Sequence, residues 1–233
     1  MAKKKTSATA PTPSATPATT TATEDMLAPR RMPNQARSRE TVELVLRAAG
    51  TEIEQNGLDS LTTRRIAALA GISVGTLYEY FPNKQAIVYA LVTDWMERIL
   101  AVMDALHPQH PEGCQDMLTY LGTQVDQLSQ MYIDQPGLGA LVTMLSSVPQ
   151  LRDAVREHDE RSITSVASAL QHFAPGVEPA EARSMAHTII VIAHELLCEA
   201  IVRGAPDAAT LIRNLKVCVF ALAARLQLSS QTL

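Results

Sequence analysis

The sequence predicts an all-α protein, with a three-helix head near its N-terminal side and a larger helical body behind it. Three observations predict this. Residues 61–84, LTTRRIAALAGISVGTLYEYFPNK, hold two short helical runs on either side of one tight turn at glycine. Longer stretches repeat apolar residues every three or four positions and stop at Gly or Pro. Finally, 233 residues with 46% hydrophobic but only 4% aromatic content suit one or two compact, mainly helical domains with a sizeable core.

Taken in order, residues 1–33 are rich in Thr, Ala and Pro and nearly devoid of large apolar side chains, so a disordered tail is expected there. Lys3, Lys4 and Lys5 are a solvated end of that tail; the sharper reading is an arm that adds phosphate contacts. From Ser38, Val42, Val45, Leu46, Ala49 and Ile53 recur at helical intervals until Asn56-Gly57 ends a first helix. The second helix opens at Thr62 or Thr63, whose hydroxyl can accept a free backbone N–H, and Ile66, Leu69 and Ala70 fall at inward-facing spacing. Gly71 ends it, because glycine adopts the left-handed conformation that other residues resist. Ser73 then caps a third helix from Val74 to Tyr80. A fourth runs from Lys84 with Ile87, Leu91, Trp95, Ile99, Val102 and Leu106 on one side, until His107-Pro108 breaks it; about twenty residues at 1.5 Å rise make a rod of some 30 Å. Further helices are expected near Gln115–Tyr132, Pro136–Ser146 and Pro149–Phe173, with Asp134 and Ser147 as starts ahead of a first-turn proline. The last two, near Pro179–Arg203 and Asp207–Leu226, are apolar almost all round, which requires burial on more than one side. The expected division is a tail at 1–33, a helix-turn-helix domain at 34–84 and a helical body at 85–233.

Charge and cysteine usage narrow the classes. The net charge is −4, but residues 1–84 carry 11 Lys+Arg against 8 Asp+Glu and residues 85–233 carry 9 against 16. A modestly basic front and acidic rear suit a small DNA-binding end on a larger body. Cys114, Cys198 and Cys218 stand far apart without CxxC pairing, which indicates neither a disulfide framework nor a zinc finger. A reducing cytoplasm is the expected location, since no uninterrupted apolar run reaches the roughly 18 residues of a membrane span and no signal-peptide core is present.

The helix-turn-helix places its second helix in the major groove and its first across the backbone. The opening helix ending near Gly57, then Thr63, Ile66-Ala67, Ala70-Gly71, Gly75-Thr76-Leu77-Tyr78, Tyr80-Phe81 and Lys84 in this order, resembles the N-terminal domain of the TetR family of transcriptional regulators over Ser38–Leu91. The resemblance implies that Thr63 and Lys84 hold phosphates, and that Tyr78 and Tyr80 contact DNA from the recognition helix, with core packing as the plainer role for each. Leu77 and Phe81, four apart and apolar, are assigned to the core. Arg39, beside Arg37 at the start of the first helix, makes most sense next to a phosphate, because a cation there opposes the helix dipole. Ser73, Val74, Gly75 and Thr76 offer hydroxyls, a methyl surface and bare backbone, so direct base reading is sparse. Arg64 is the candidate for a bidentate guanine contact, and Arg65 is expected to be solvated.

The resemblance further implies a homodimer paired through the last two helices, so that two recognition helices meet a palindromic operator, and a repressor released by a small apolar or amphipathic effector. Trp95, Met103, His107, Tyr120, Met144 and His187, with Met131 and Tyr132, are the candidates for a pocket, ordinary core being the plainer role. His187 and His194 lie seven apart near Glu195 and Glu199; a bonded histidine in the interface is the expectation rather than a metal site, and no cofactor is expected. Isolated cysteines in apolar helices read as core before redox sensors. An enzyme is not expected, because the chain has no glycine-rich phosphate loop, GxSxG or HExxH. The alternative is a dimeric DNA-binding protein that answers to a protein partner or needs no small ligand.

Overall fold

The computed structural model describes residues 36–147 and 151–230, with side chains described over 38–142 and 151–228. The tail reading for residues 1–33 lies outside the described residues. Nine α-helices and no strand occupy the described chain: α1 Ala36–Asn56, α2 Thr63–Leu69, α3 Val74–Tyr80, α4 Lys84–Leu106, α5 Met117–Asp134, α6 Leu138–Ser147, α7 Leu151–Phe173, α8 Pro179–Leu197 and α9 Ala208–Ser230.

The head is capped as its sequence dictates. Gly57 at φ 76° and Gly71 at φ 68° end α1 and the α2 turn in the left-handed region. The Thr62 hydroxyl accepts from the Arg65 N–H at 3.3 Å, and Ser73 Oγ accepts from the Thr76 N–H at 2.9 Å. Thr62 is therefore the cap and Thr63 the first residue of α2. Leu61, Ile66, Leu77, Phe81 and Ile87 are completely buried between these helices, with Val45, Ala49 and Ile53 of α1 as the opposing wall. Leu69 departs from the expectation of an inward residue, being 52% exposed. The chain turns at Gly71 one residue after Ala70, so α2 is too short to bring its last turn under α1.

Helix α4 belongs to head and body alike. Its 23 residues, roughly 35 Å at 1.5 Å each, pack on α1 near one end and on α5 and α7 along the rest. A second connection joins the two parts at the α5–α6 corner. Gly137 takes φ 71°, and a Cβ placed there would stand 2.8 Å from Ile53 Cγ2 and 3.0 Å from the Gly50 carbonyl oxygen. Gly50 faces the Pro136 carbonyl in turn, and Arg98 of α4 donates to the buried Gln135 Oε1. This corner is held by glycine on both sides of a backbone contact. Asp134, expected to start the next helix, instead ends α5 and accepts from Gln130 Nε2 at 2.9 Å. Ser147 is the last residue of α6, and residues 148–150 beyond it lie outside the described chain.

The corner gives a first prediction. Gly137→Ala will lose about 1–3 kcal/mol from the left-handed backbone alone, and more from the Ile53 collision. Gly57→Ala, at similar φ but with nothing within 4 Å, will show the backbone part only. Urea unfolding of both variants measures the difference.

In the body, α8 packs between α7 and α9 and is continued by a π-turn at Cys198–Val202, where the Arg203 N–H reaches back to the Cys198 carbonyl at 2.9 Å. By mean hydropathy, 1.6 over its most apolar window, the segment Pro179–Val202 is long and apolar enough to cross a membrane. Counting uninterrupted apolar residues misses this. In the fold, Ala182, Met185, Ala186, Ile189 and Leu197 are spent on the protein core.

Candidate functional site

Most of the head side chains singled out in the sequence are exposed. Val74, Gly75 and Tyr78 are exposed along α3, Arg64 is exposed on α2, and Lys84 and Arg39 are exposed in the first turns of α4 and α1. The hydroxyls of Tyr78 and Thr63 lie 3.2 Å apart, so the recognition helix and the start of α2 present two hydroxyls side by side. Ser73 and Thr76 share a 2.9 Å hydrogen bond besides the cap, which ties both hydroxyls to holding α3 rather than leaving them open. Tyr80 differs from its expected place at the DNA surface: only 8% exposed, it belongs to the core, because the α3 face that carries Leu77 turns it inward.

Arg65 is not simply solvated. It donates to Glu52 of α1 at 2.7 Å, and Glu52, 4% exposed, also accepts from Ser60 Oγ at 3.0 Å and Asn56 Nδ2 at 3.1 Å. Burial works to raise the Glu52 pKa, but the bonds from Arg65, Ser60 and Asn56 outweigh it and hold the carboxyl below its ordinary value. A carboxylate whose folded pKa is depressed contributes stability that is complete above the unfolded pKa and is lost as pH falls through the folded value. Acidification through the carboxylate range should therefore loosen the α1–α2 junction. Glu52→Gln will be less stable than the parent at neutral pH and will lose less on acidification, as followed by urea midpoints across pH.

Behind the head, a partly open cavity of about 640 Å³ is lined mainly by α4, α5, α7 and α8, with Val142 of α6, Cys198 and Val202 of the π-turn, Arg203 and Val219 of α9 also on its walls. Trp95 and Met103 line it as expected, as does Tyr132. Tyr120 does not; it is completely buried beside the cavity, accepts from Gln124 Nε2 at 2.8 Å and packs against Phe173. His107 lies past the end of α4, where its Nδ1 accepts from the Gln109 N–H at 3.2 Å, and borders a separate surface depression. His187 is exposed on α8 and is not among the residues that line this cavity. The Met144 side chain lies outside the described residues. His194, expected as an interface histidine, is a cavity wall: its Nδ1 is 3.0 Å from the Tyr132 hydroxyl and its Nε2 is 3.7 Å from Cys198 Sγ. Burial first, then the charge of Glu195, pushes the Cys198 thiol up, away from the reactive thiolate.

Sequence reasoning missed His158, Ser162, Gln124 and Asp159, all of which line the cavity. The signal was present on α7, where Val155, His158, Ser162 and Val166 recur at helical spacing and set two polar groups into an apolar stripe.

Two family models match the chain, one described as bacterial regulatory proteins of the tetR family over residues 45–91, the other as a tetracyclin repressor-like C-terminal domain over residues 116–221. The chain belongs to the TetR family. The family is one of bacterial transcriptional regulators, and the match at residues 45–91 covers the helix-turn-helix of the head. Among its relatives, an HTH-type transcriptional regulator of Mycobacterium tuberculosis is 25% identical over 150 residues, covering 61% of this chain and 64% of that protein. The TetR match thus spans a little under two thirds of that relative's length. The nucleoid occlusion factor SlmA of Pasteurella multocida is 29% identical over 114 residues, 46% of this chain and 53% of that one. The TetR fold is shared with the crystal structure of a TetR-family regulator from Mesorhizobium loti, at TM-score 0.66 and 21% identity, over 82% of this chain and 98% of that one.

Proposed function

We propose that this regulator is a cytoplasmic homodimeric repressor, whose heads at residues 34–84 occupy the two halves of a palindromic operator and leave it when a small, largely apolar molecule enters the body at residues 85–233. The observation that carries the reading is the cavity of about 640 Å³ walled by α4, the helix whose first residue, Lys84, stands at the edge of the head. A ligand acts by binding the released state better than the bound one, and a wall shared with the head supplies the differential contact. The Gln135–Gly137 corner on Gly50 and Ile53 is a second route for the same shift.

In this reading Thr63, Tyr78, Lys84 and Arg39 hold phosphates, Arg64 reads a base, and Val74 and Gly75 lie against the groove. Arg64→Ala is expected to cost about 1–3 kcal/mol at one operator position and to relax the sequence preference there. Lys84→Ala is expected to weaken all sequences alike and to lower the salt slope by about one. Fluorescence anisotropy with single-base operator variants at several salt concentrations separates the two. A uniform loss for Arg64→Ala would reassign it to phosphate.

Selection of bound fragments from the genome, followed by a thermal-shift screen of small apolar compounds, tests the whole reading. A compound that stabilises the protein and releases the selected operator supports it. The similarity to a nucleoid occlusion factor favours a second reading, a DNA-bound dimer that needs no small ligand; stabilising compounds that never release DNA would favour that one.

A further inference from the structure

The cavity carries more information than its volume. Its walls are mostly apolar, with Met96, Ile99, Val125, Leu128, Val166 and Ile189 among them. Yet three buried polar atoms on those walls lack a hydrogen-bond partner among the described residues: Trp95 Nε1, His158 Nδ1 and Ser162 Oγ. Trp95 is 3% exposed and Ser162 1%. Unpaired buried polar atoms are rare in folded proteins and cost free energy, and three on one cavity are a ligand-shaped deficit. His158 and Ser162 are one turn apart on α7, which packs directly on the α4 helix that carries Trp95.

We infer that the cavity is built for an uncharged, largely apolar molecule bearing an acceptor oxygen of the carbonyl type, received by the Trp95 N–H and the Ser162 hydroxyl. This rests on the reading of the cavity as a regulatory ligand site. An indole N–H only donates, so the group that meets it must accept. An ammonium group has no lone pair to offer. A carboxylate accepts, but the charged residues at the walls are Asp159, Glu195 and Arg203, and Arg203 is already engaged by Glu199 at 2.8 Å and Glu195 at 3.7 Å. An anion would face two carboxylates with no cation to spare. His158 does not supply one, because burial above all favours its neutral form. The Tyr132 hydroxyl and His194 are already bonded to each other, which leaves α4 and α7 to orient the ligand.

Trp95 is the single tryptophan of the chain, so its emission reports directly on the cavity. The test titrates the full chain with two matched series, 2-decanone, decanoate and decylamine, then 4-phenylbutan-2-one, 4-phenylbutanoate and 4-phenylbutylamine. Within a series the ketone is expected to bind about tenfold tighter than the acid or the amine. Ser162→Ala is expected to weaken the ketone by about three- to tenfold while leaving the thermal midpoint of the free protein unchanged or raised, since it removes an unpaired hydroxyl. Trp95→Phe, followed by calorimetry, is expected to weaken the ketone likewise and to leave the amine unaffected. Tighter binding of the acid or the amine overturns the ligand class and leaves the pocket reading standing. Ketone affinity unchanged from the parent in both variants overturns the assignment of the two donors. Failure of every compound to change Trp95 emission or the thermal midpoint overturns the pocket reading and this inference together.

Discussion

Replacing Phe81 with alanine is expected to remove about 3–5 kcal/mol of stability, a large part of the roughly 5–15 kcal/mol that a folded domain has at its disposal. The ring is completely buried and sits where α3 ends. Its own N–H closes the last turn of α3 on the Leu77 carbonyl at 2.9 Å, and the chain then turns through Pro82 into the Asn83 cap of α4, which accepts from the Ala86 N–H at 2.8 Å. Truncation leaves a cavity among Leu61, Ile66, Leu77 and Ile87 that these helices cannot close without moving the recognition helix. Urea unfolding followed by circular dichroism checks the magnitude. Operator binding by the variant should also fail at a lower temperature than in the parent. Leu69→Ala, in the same motif but half exposed, is expected to change stability by no more than about 0.5 kcal/mol. A loss comparable to that of Phe81→Ala would place Leu69 in a core the fold does not show.

The contrast between Phe81 and Leu69 explains what was legible. Each of the nine α-helices of the described residues has a counterpart in the sequence, because the signals are chemical: Gly57 and Gly71 take left-handed backbone, and Ser73 caps the helix that follows. Periodicity also placed Leu77 and Phe81 in the core. It failed at Leu69, where one helix is too short for its period to specify a face, and where a partner comes from a distant segment, as when Arg65 meets Glu52 thirteen positions earlier; at Tyr80 the resemblance pointed to DNA while the spacing from Leu77 points inward. The cavity was harder still. Trp95 and Met103 were found as large apolar residues on a long helix, but a pocket is a gap among several helices, and the stripe on α7 supplies only one of its walls. Tyr120 and His187 carried the same local signal and fell, respectively, into solid core and onto the outside. What distinguishes Ser162 and His158 is lack of a partner, and that is a property of the packed structure alone.

The largest expected effect of all comes from the outer faces of α8 and α9. On α9 the side toward the core carries Leu215, Val219, Ala223 and Leu226, all completely buried. The opposite side carries Asn214, Val217, Ala221, Ala224 and Leu228, all exposed, Val217 at 61% and Leu228 at 67%. These alternate by three and four, the seam spacing of packed helix bundles, and the two alanines let a second helix approach closely. Helix α8 adds Val191, 49% exposed, in register with Ser184, Thr188 and Glu195. The exposed apolar members, Val217, Ala221, Ala224 and Leu228 on α9 and Val191 on α8, are set among polar ones, and self-pairing about a two-fold axis covers both copies at once. The double variant Val191→Glu, Val217→Glu places four like charges in that seam. It is expected to shift the light-scattering mass from two chains to one at micromolar concentration. Operator affinity should then fall by about 10²–10⁴, because the second head loses the effective concentration that the first supplies, while binding to an isolated half-site is preserved. The Trp95 emission response to 2-decanone separates dissociation from unfolding, since the residues that line the cavity include neither substituted position. A variant that keeps the mass of two chains would move the interface elsewhere, and the half-site spacing read by the two heads would have to be set by other helices.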